Sequence, residues 1–447
     1  MPQSTPRLAV LEARGPYEGG GRKTRLSVYL VVFACFSAVL FSGFGAIATL
    51  PLAFALGSAL VFWRSAGGID RLSLRIFGFL LYVAVSGLLM GGFGSIRTDG
   101  AMAWLAGEGR LFVFFVPFIA TAAMLRGRIT SRPVTTIKAF RAVIRLVALL
   151  TATFLAVERT TGVELFSSHH AVGAISAAVT VFLYLDHVFD KTRTGLYFAI
   201  LGLITLAASN SRTSLLAVAG ALLVFHILRG DTKRVVKLAL LSGIPIGALL
   251  LVFSGVAERV DRAIDPDTIT SMFDNFVESA TSPYQLDGGG AVGDIELAGD
   301  RNLAIRGHIW GRAVKEAAMS PLIGIGFGRF NDFGRQFLDV GIGEVAVFAR
   351  YASPSVASAH NTFLHHSAEL GLLGVILLVS IFLPIARRCW AASFSRSNSR
   401  LVQFWGAVGI VSLISLLFTG ITQHAIGAPI YGLTYGVLLV SAYRLAK

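Results

Sequence analysis

Three observations predict an all-α polytopic membrane protein, with about 12 transmembrane helices and one large periplasmic loop containing short helices. Of its 447 residues 54% are hydrophobic and only 14% are charged, against roughly 25% charged in soluble domains. Apolar windows of the roughly 17–25 residues needed to cross about 30 Å of hydrocarbon recur along the chain. Lys and Arg are concentrated in alternate connections between those windows, the orientation signal of a multi-pass inner-membrane protein.

The windows fall at 26–43, 46–63, 74–92, 109–125, 140–157, 170–186, 194–210, 213–229, 236–255, 368–385, 401–420 and 426–443. Only the neighbourhood of Ser42-Gly43-Phe44-Gly45 separates the first pair, and that of Ser211-Arg212 the seventh and eighth, so both pairs fit tight hairpins. The first 25 residues are polar and carry no A-x-A-like cleavage site behind a short apolar core, so the first window is expected to be an uncleaved anchor. Cys35 and Cys389 both lie in or beside apolar windows and define neither a disulfide framework nor a metal cluster. The expected organisation is a cytoplasmic tail (1–25), nine helices (26–255), a periplasmic loop carrying part of an active site (256–359), and three further helices with a short tail (360–447). No internal repeat is evident.

Orientation follows from the basic residues. With both termini in the cytoplasm of a bacterium, the inner segments hold Arg22, Lys23 and Arg25, then Arg64, Arg71 and Arg75, then Arg126, Arg128, Arg132, Lys138 and Arg141. Later inner connections add Lys233, Arg234, Lys237, Arg387, Arg388, Arg396 and Arg400, whereas the short outer loops hold only Arg97, Arg110, Arg159 and Arg212. The long stretch from Val256 to Ala359 has nine basic and fourteen acidic residues. The net charge of +14 is therefore a topology signal and an anchor to anionic membrane lipid, not a nucleic-acid patch. A connector of a hundred polar residues is far longer than a helical hairpin needs, which marks it as a carrier of function.

Three places on the outer face carry residues suited to chemistry. In Ser209-Asn210-Ser211-Arg212-Thr213, an arginine stands at a membrane boundary, where it is expected to face protein, water or an anion. Ser211 and the N-terminus of the following helix add donors for a phosphate; the competing account is an interfacial arginine that snorkels to headgroups. In Arg306-Gly307-His308-Ile309-Trp310, Arg306 and Trp310 share a helical face with Ala313 and Ala317. Asp300 is the expected cap of that helix and Pro321 its stop. From position alone the plainer account is preferred: an amphipathic helix packed on the membrane by Trp310, with Arg306 a solvated or paired surface residue. In Ser358-Ala359-His360-Asn361, Ser358 is expected as N-cap, placing His360 in the first helical turn. There the helix dipole disfavours imidazolium and keeps the ring able to accept a proton. A structural interfacial histidine is the plain alternative.

Weaker signals accompany these. Asp265-Pro266-Asp267 has the D-x-D form of metal-dependent transferases but is also an ordinary capping string. Gly324-Ile325-Gly326-Phe327-Gly328 resembles a phosphate-cradling loop but fits turn punctuation better. The pair His169-His170 begins a window and reads as structural. No H-E-x-x-H, P-loop or G-x-S-x-G pattern occurs.

Taken together, S-x-S-R-T at the outer end of a span, a large late outer loop, R-x-x-x-W within it, and H-N-x-x-L before a Gly-x-x-Gly-containing span resemble the O-antigen ligase and O-antigen polymerase superfamily. The resemblance covers the topology of nearly the whole chain, and its motifs cover about residues 200–375. It implies an inner-membrane, metal-independent inverting glycosyltransferase without cofactors. Its donor would be an undecaprenyl-diphosphate-linked glycan, and its acceptor lipid A core for a ligase or a second lipid-linked glycan for a Wzy-type polymerase. It places the catalytic base on His360 and diphosphate binding on Arg212 and Arg306, with support from Ser211, Arg301, Trp310 and Asn361. The motifs do not separate ligase from polymerase; a protein O-oligosaccharyltransferase usually carries an additional C-terminal region. A reading of another class is a lipid or solute transporter, which predicts ionisable residues within spans or broken helices at matching positions. A partner-binding scaffold is a fourth, and it predicts that Arg212, Arg306 and His360 are individually replaceable.

Overall fold

The computed structural model describes residues 30–40, 42, 70–90, 109–125, 133–231, 233–234, 265–281, 301–330 and 358–446. Among these every regular element is helical. In chain order they are α1 (Leu30–Leu40), α2 (Arg71–Met90), α3 (Arg110–Met124), α4 (Pro133–Thr161), α5 (His169–Asp190), α6 (Arg193–Ala208) and α7 (Arg212–Leu228). There follow α8 (Pro266–Thr281), α9 (Arg301–Met319), α10 (Thr362–Phe394) and α11 (Arg400–Thr422). A last helix, α12, joins Pro429–Tyr431, a π-helical turn Gly432–Gly436, and Val437–Leu445. Helices α1 to α7 and α10 to α12 overlap ten of the expected windows; those at 46–63 and 236–255 lie outside the described residues. Five helices, α2, α4, α5, α10 and α11, are long and apolar enough to cross a membrane.

The most enclosed of these is α5, whose face is buried almost all round from Ala171 to Leu185. Ser168 starts it, its Oγ accepting from the Ala171 N–H at 3.3 Å, and Lys191 ends it in the left-handed region at φ 51°. Lipid tails are as apolar as leucine, so shape fit and close approach hold such helices together. The fit here is aromatic: Phe140 of α4 meets Trp405 of α11 edge-on at 5.2 Å, and Phe182 of α5 meets Phe404 at 5.4 Å, each pair worth about 0.5–1.5 kcal/mol. At its far end α5 buries Asp186, which Arg141 of α4 engages through Nε at 2.7 Å, while Arg141 also binds Asp190 at 2.6 Å.

Helices α8 and α9 lie in the stretch expected to be the long loop; its residues 256–264, 282–300 and 331–357, including Asp300 and Gly288-Gly289-Gly290, lie outside the described residues. Asp265 Oδ1 accepts from the Asp267 N–H at 3.2 Å and caps α8. The two helices pack so closely that Gly307 of α9 abuts the carbonyl of Met272. Helix α9 ends at Met319, just before Pro321. Its apolar side does not face a membrane surface: Ile309 and Ala313 form a small core with Phe330, Ala359 and Ala368, and so tie α9 to α10.

Helix α10 is broken at Gly371, which adopts φ 60° and ψ −169°. The segment 321–326 fills the break. The N–H groups of Leu372 and Leu373 donate to the carbonyls of Pro321 and Leu322 at 2.8 and 3.0 Å, and those of Ile325 and Gly326 donate to Ala368 and Glu369 at 2.9 and 3.0 Å. Tyr82 of α2 closes it, its hydroxyl reaching the carbonyls of Leu370 at 2.8 Å and Ile323 at 3.1 Å. The glycine-alternating string is thus a docking strip for a broken helix and cradles no phosphate. Non-helical backbone at membrane depth persists only where protein satisfies it. A second defect is repaired likewise: Pro384 cannot bond the carbonyl of Ser380, and Arg75 of α2 donates to that carbonyl at 3.0 Å. The dihedrals of Gly371 are open only to glycine, and a Cβ there would meet Gly324 N at 2.5 Å. Gly371→Ala is therefore expected to cost at least about 1–3 kcal/mol from the backbone alone. A thermal-unfolding midpoint in detergent indistinguishable from the parent protein would contradict this.

Candidate active site

The break in α10 positions the polar centre on its N-terminal side. Asn361, not Ser358, caps the helix: its Oδ1 accepts from the N–H groups of Phe363 at 2.9 Å and Leu364 at 3.1 Å. Both residue types can cap, but Ser358 Oγ instead accepts from the His360 N–H at 3.4 Å. His360 consequently stands just before the helix rather than in its first turn. Its φ of 46° is a conformation that costs a non-glycine residue free energy and is retained where surroundings enforce it.

His360 is brought together with Arg306 of α9 and Arg110, the first residue of α3. Burial first, then the charges of Arg306, Arg110 and His365, push the His360 imidazole down to about 4. It is therefore neutral at pH 7 and able to accept a proton. Arg110 interacts electrostatically with Glu369 and acts on His366 and His424 as well as His360. Trp310, one turn after Arg306, is half-buried, and its indole N–H finds no acceptor among the described residues. Arg301 begins α9.

Glu369 organises the floor. One oxygen accepts from the N–H groups of Gly328 at 3.1 Å and Phe330 at 3.3 Å, and the other lies 3.4 Å from His365 Nε2. His424, in the turn between α11 and α12, meets the ring of His365 edge-on at 4.1 Å, and burial drives its basicity well down. On the α9 side Arg312 Nε donates to Glu316 at 2.8 Å and Arg312 Nη2 donates to the Phe330 carbonyl. Burial nevertheless raises the Glu316 carboxyl to about 7. Among the described residues no group of three His, Cys, Asp or Glu is arranged to hold a metal ion.

Arg212 opens α7, after Asn210 in the left-handed region at φ 60°. Ser211 lies against Gly173 in the first turns of α5. A chain of hydrogen bonds leads from there to His170. Ser211 Oγ donates to Ser214 Oγ at 2.9 Å, Ser214 bonds Tyr431, Tyr431 donates to Gln423 Oε1 at 2.5 Å, and Gln423 Nε2 meets His170 Nδ1 at 3.1 Å. Because Tyr431 takes the amide oxygen, the amide nitrogen faces His170, so Nδ1 accepts and the ring proton sits on Nε2. The charges of His360 and Arg306 reach His170. The structure thus brings His360 and Arg306, both singled out in the sequence, together with Arg110, and places beside them His170, which the sequence marks as structural, and Gln423 and His424, which it does not mark. Gln423→Leu is expected to cost about 1–3 kcal/mol by stranding two buried polar groups; an unshifted unfolding midpoint in detergent would refute the relay.

A half-buried imidazole on which two guanidiniums act thus stands at the start of α10, a helix long and apolar enough to cross a membrane. Residues 197–379, which include Arg212, Arg306 and His360, match the family model described as O-antigen ligase, a match that supports a likeness to the O-antigen ligase superfamily. None of the curated proteins matches the chain.

Proposed function

We propose that the protein is a bacterial inner-membrane glycosyltransferase that moves a glycan from undecaprenyl diphosphate to an acceptor hydroxyl at the periplasmic face, in the manner of an O-antigen ligase. The observation that carries this reading is the half-buried His360, held neutral with Arg306 and Arg110 acting on it. The acceptor hydroxyl gives its proton to His360 as its oxygen bonds the anomeric carbon. The bond from that carbon to the diphosphate oxygen breaks on the opposite face, with inversion, and undecaprenyl diphosphate departs. A positioned base contributes about 10²–10⁴-fold to such a step. The leaving group gains negative charge, which Arg306, Arg110 and Arg212 neutralise by charge-assisted hydrogen bonds in a site of low dielectric. Guanidiniums in this role make transfer independent of divalent metal.

Both termini are then cytoplasmic, with α8, α9 and His360 at the periplasmic end. The decisive experiment reconstitutes the purified chain with an undecaprenyl-diphosphate glycan and two alternative acceptors, lipid A core and a second lipid-linked repeat. Transfer to lipid A core that survives chelation of divalent cations is the expected result. Transfer only to the lipid-linked repeat would make the protein a polymerase, and no transfer to either would refute the reading.

A further inference from the structure

At the opposite end of α10 from His360 the structure holds a second built cavity. Arg387 and Arg388 lie 16 and 17 residues past the Gly371 break, about 25 Å along the helix axis. With Pro384, Ser395, Asn398 and Tyr443 they line a cavity of about 670 Å³ between α10, the turn into α11, and the end of α12. This volume lies within the range of small-ligand sites, about 300–1,000 Å³.

Among the described residues the lining contains two guanidiniums and no carboxylate. Arg388 is preorganised: it donates to the Tyr443 carbonyl at 3.2 Å, and its guanidinium sits 4.2 Å over the Tyr443 ring. Among the described residues Arg387 has neither an ion-pair nor a hydrogen-bond partner. The remaining walls are Ala391, Ala392, Val402 and Ala446. On the same segment Leu383 and Trp390 are 44% and 48% exposed, as befits side chains facing acyl chains and the interface. Cations in the lining, hydroxyl and amide groups beside them, and an apolar flank fit one ligand chemistry, a phosphodiester joined to acyl chains.

We infer that this cavity binds the headgroup of an anionic phospholipid in the leaflet opposite the His360 centre. A basic pocket between membrane helices is the usual form of such a site. The site needs no glycan donor, so its test is independent of the transfer reaction.

Native mass spectrometry of the full chain, released from nanodiscs holding equal phosphatidylglycerol and phosphatidylcholine, tests the inference. The wild type is expected to retain phosphatidylglycerol at least about tenfold over phosphatidylcholine, since one charge-assisted contact at the lower end of its range already gives that ratio. Arg387→Gln should reduce the preference and Arg387→Gln with Arg388→Gln should abolish it. Because Arg388 also holds Tyr443, the single Arg387 variant keeps the test valid if the double variant fails to fold. Competition by inorganic phosphate at millimolar concentration, without lipid selectivity, would assign the cavity to a soluble anion and overturn the lipid assignment. Equal retention of the two lipids, or a preference unchanged in Arg387→Gln, would overturn it as well.

Discussion

Alanine at His360 is expected to abolish glycan transfer, a loss of at least about 10²–10⁴-fold, while the protein still inserts and accumulates. The side chain contributes little to the fold, since Asn361 and not His360 caps α10. The residue does sit at φ 46°, so a glycine variant separates backbone from ring: His360→Gly relieves the strain yet lacks the base, and should be equally inactive. The pH profile carries a further expectation. The neutral ring is the active form, and burial holds the imidazole near 4. Activity should therefore persist as pH falls through 6.5, the ordinary histidine value, and drop only on approaching 4. An acidic limb of kcat/KM centred near 6.5, or full activity in His360→Ala, would remove His360 from the mechanism.

Much of the scaffold was legible because hydrocarbon imposes a strong rule: a span must be apolar for about twenty residues. That rule located α5 and α11 to within a few residues, yet it is blind to polar helical ends, so α4 starts at Pro133 where the apolar window begins only at 140, and α10 runs from Thr362 to Phe394 around a window of 368–385. It is equally blind to the break in α10. Gly371 and Gly374 sit in a leucine-rich run that reads as continuous helix, and only the docking of 321–326, some fifty residues earlier, reveals a discontinuity. In the site, Arg306 and His360 announced themselves through short local patterns. Arg110 did not, because an arginine at the start of an apolar window looks like an interfacial anchor. Its role depends on contact with a helix some 250 residues away. The same holds for Gln423 and His424, which occupy a short turn whose composition is unremarkable and whose partners come from α5, α10 and α12. The cap was misplaced because Ser358 and Asn361 are equivalent in propensity, and only backbone geometry chooses between them.

Replacement of Arg306 by glutamine should do two separable things. First, kcat should fall by about 10²–10³-fold, the usual cost of losing one group that stabilises charge developing in the transition state, with a smaller effect on KM. Second, the acidic limb of the pH profile should move upward. After burial, Arg306 heads the charges that hold His360 down, so its removal makes protonation of the ring less unfavourable. Because burial remains, the new limb should fall between about 4 and 6.5. A purely structural arginine would lower activity without moving this limb, and a remote one would move neither. Arg306→Lys sharpens the contrast: the retained charge should keep the limb near its original position, while loss of the planar fork still impairs diphosphate binding. A limb that shifts as far in the lysine variant as in the glutamine variant would show that charge at this position does not tune His360.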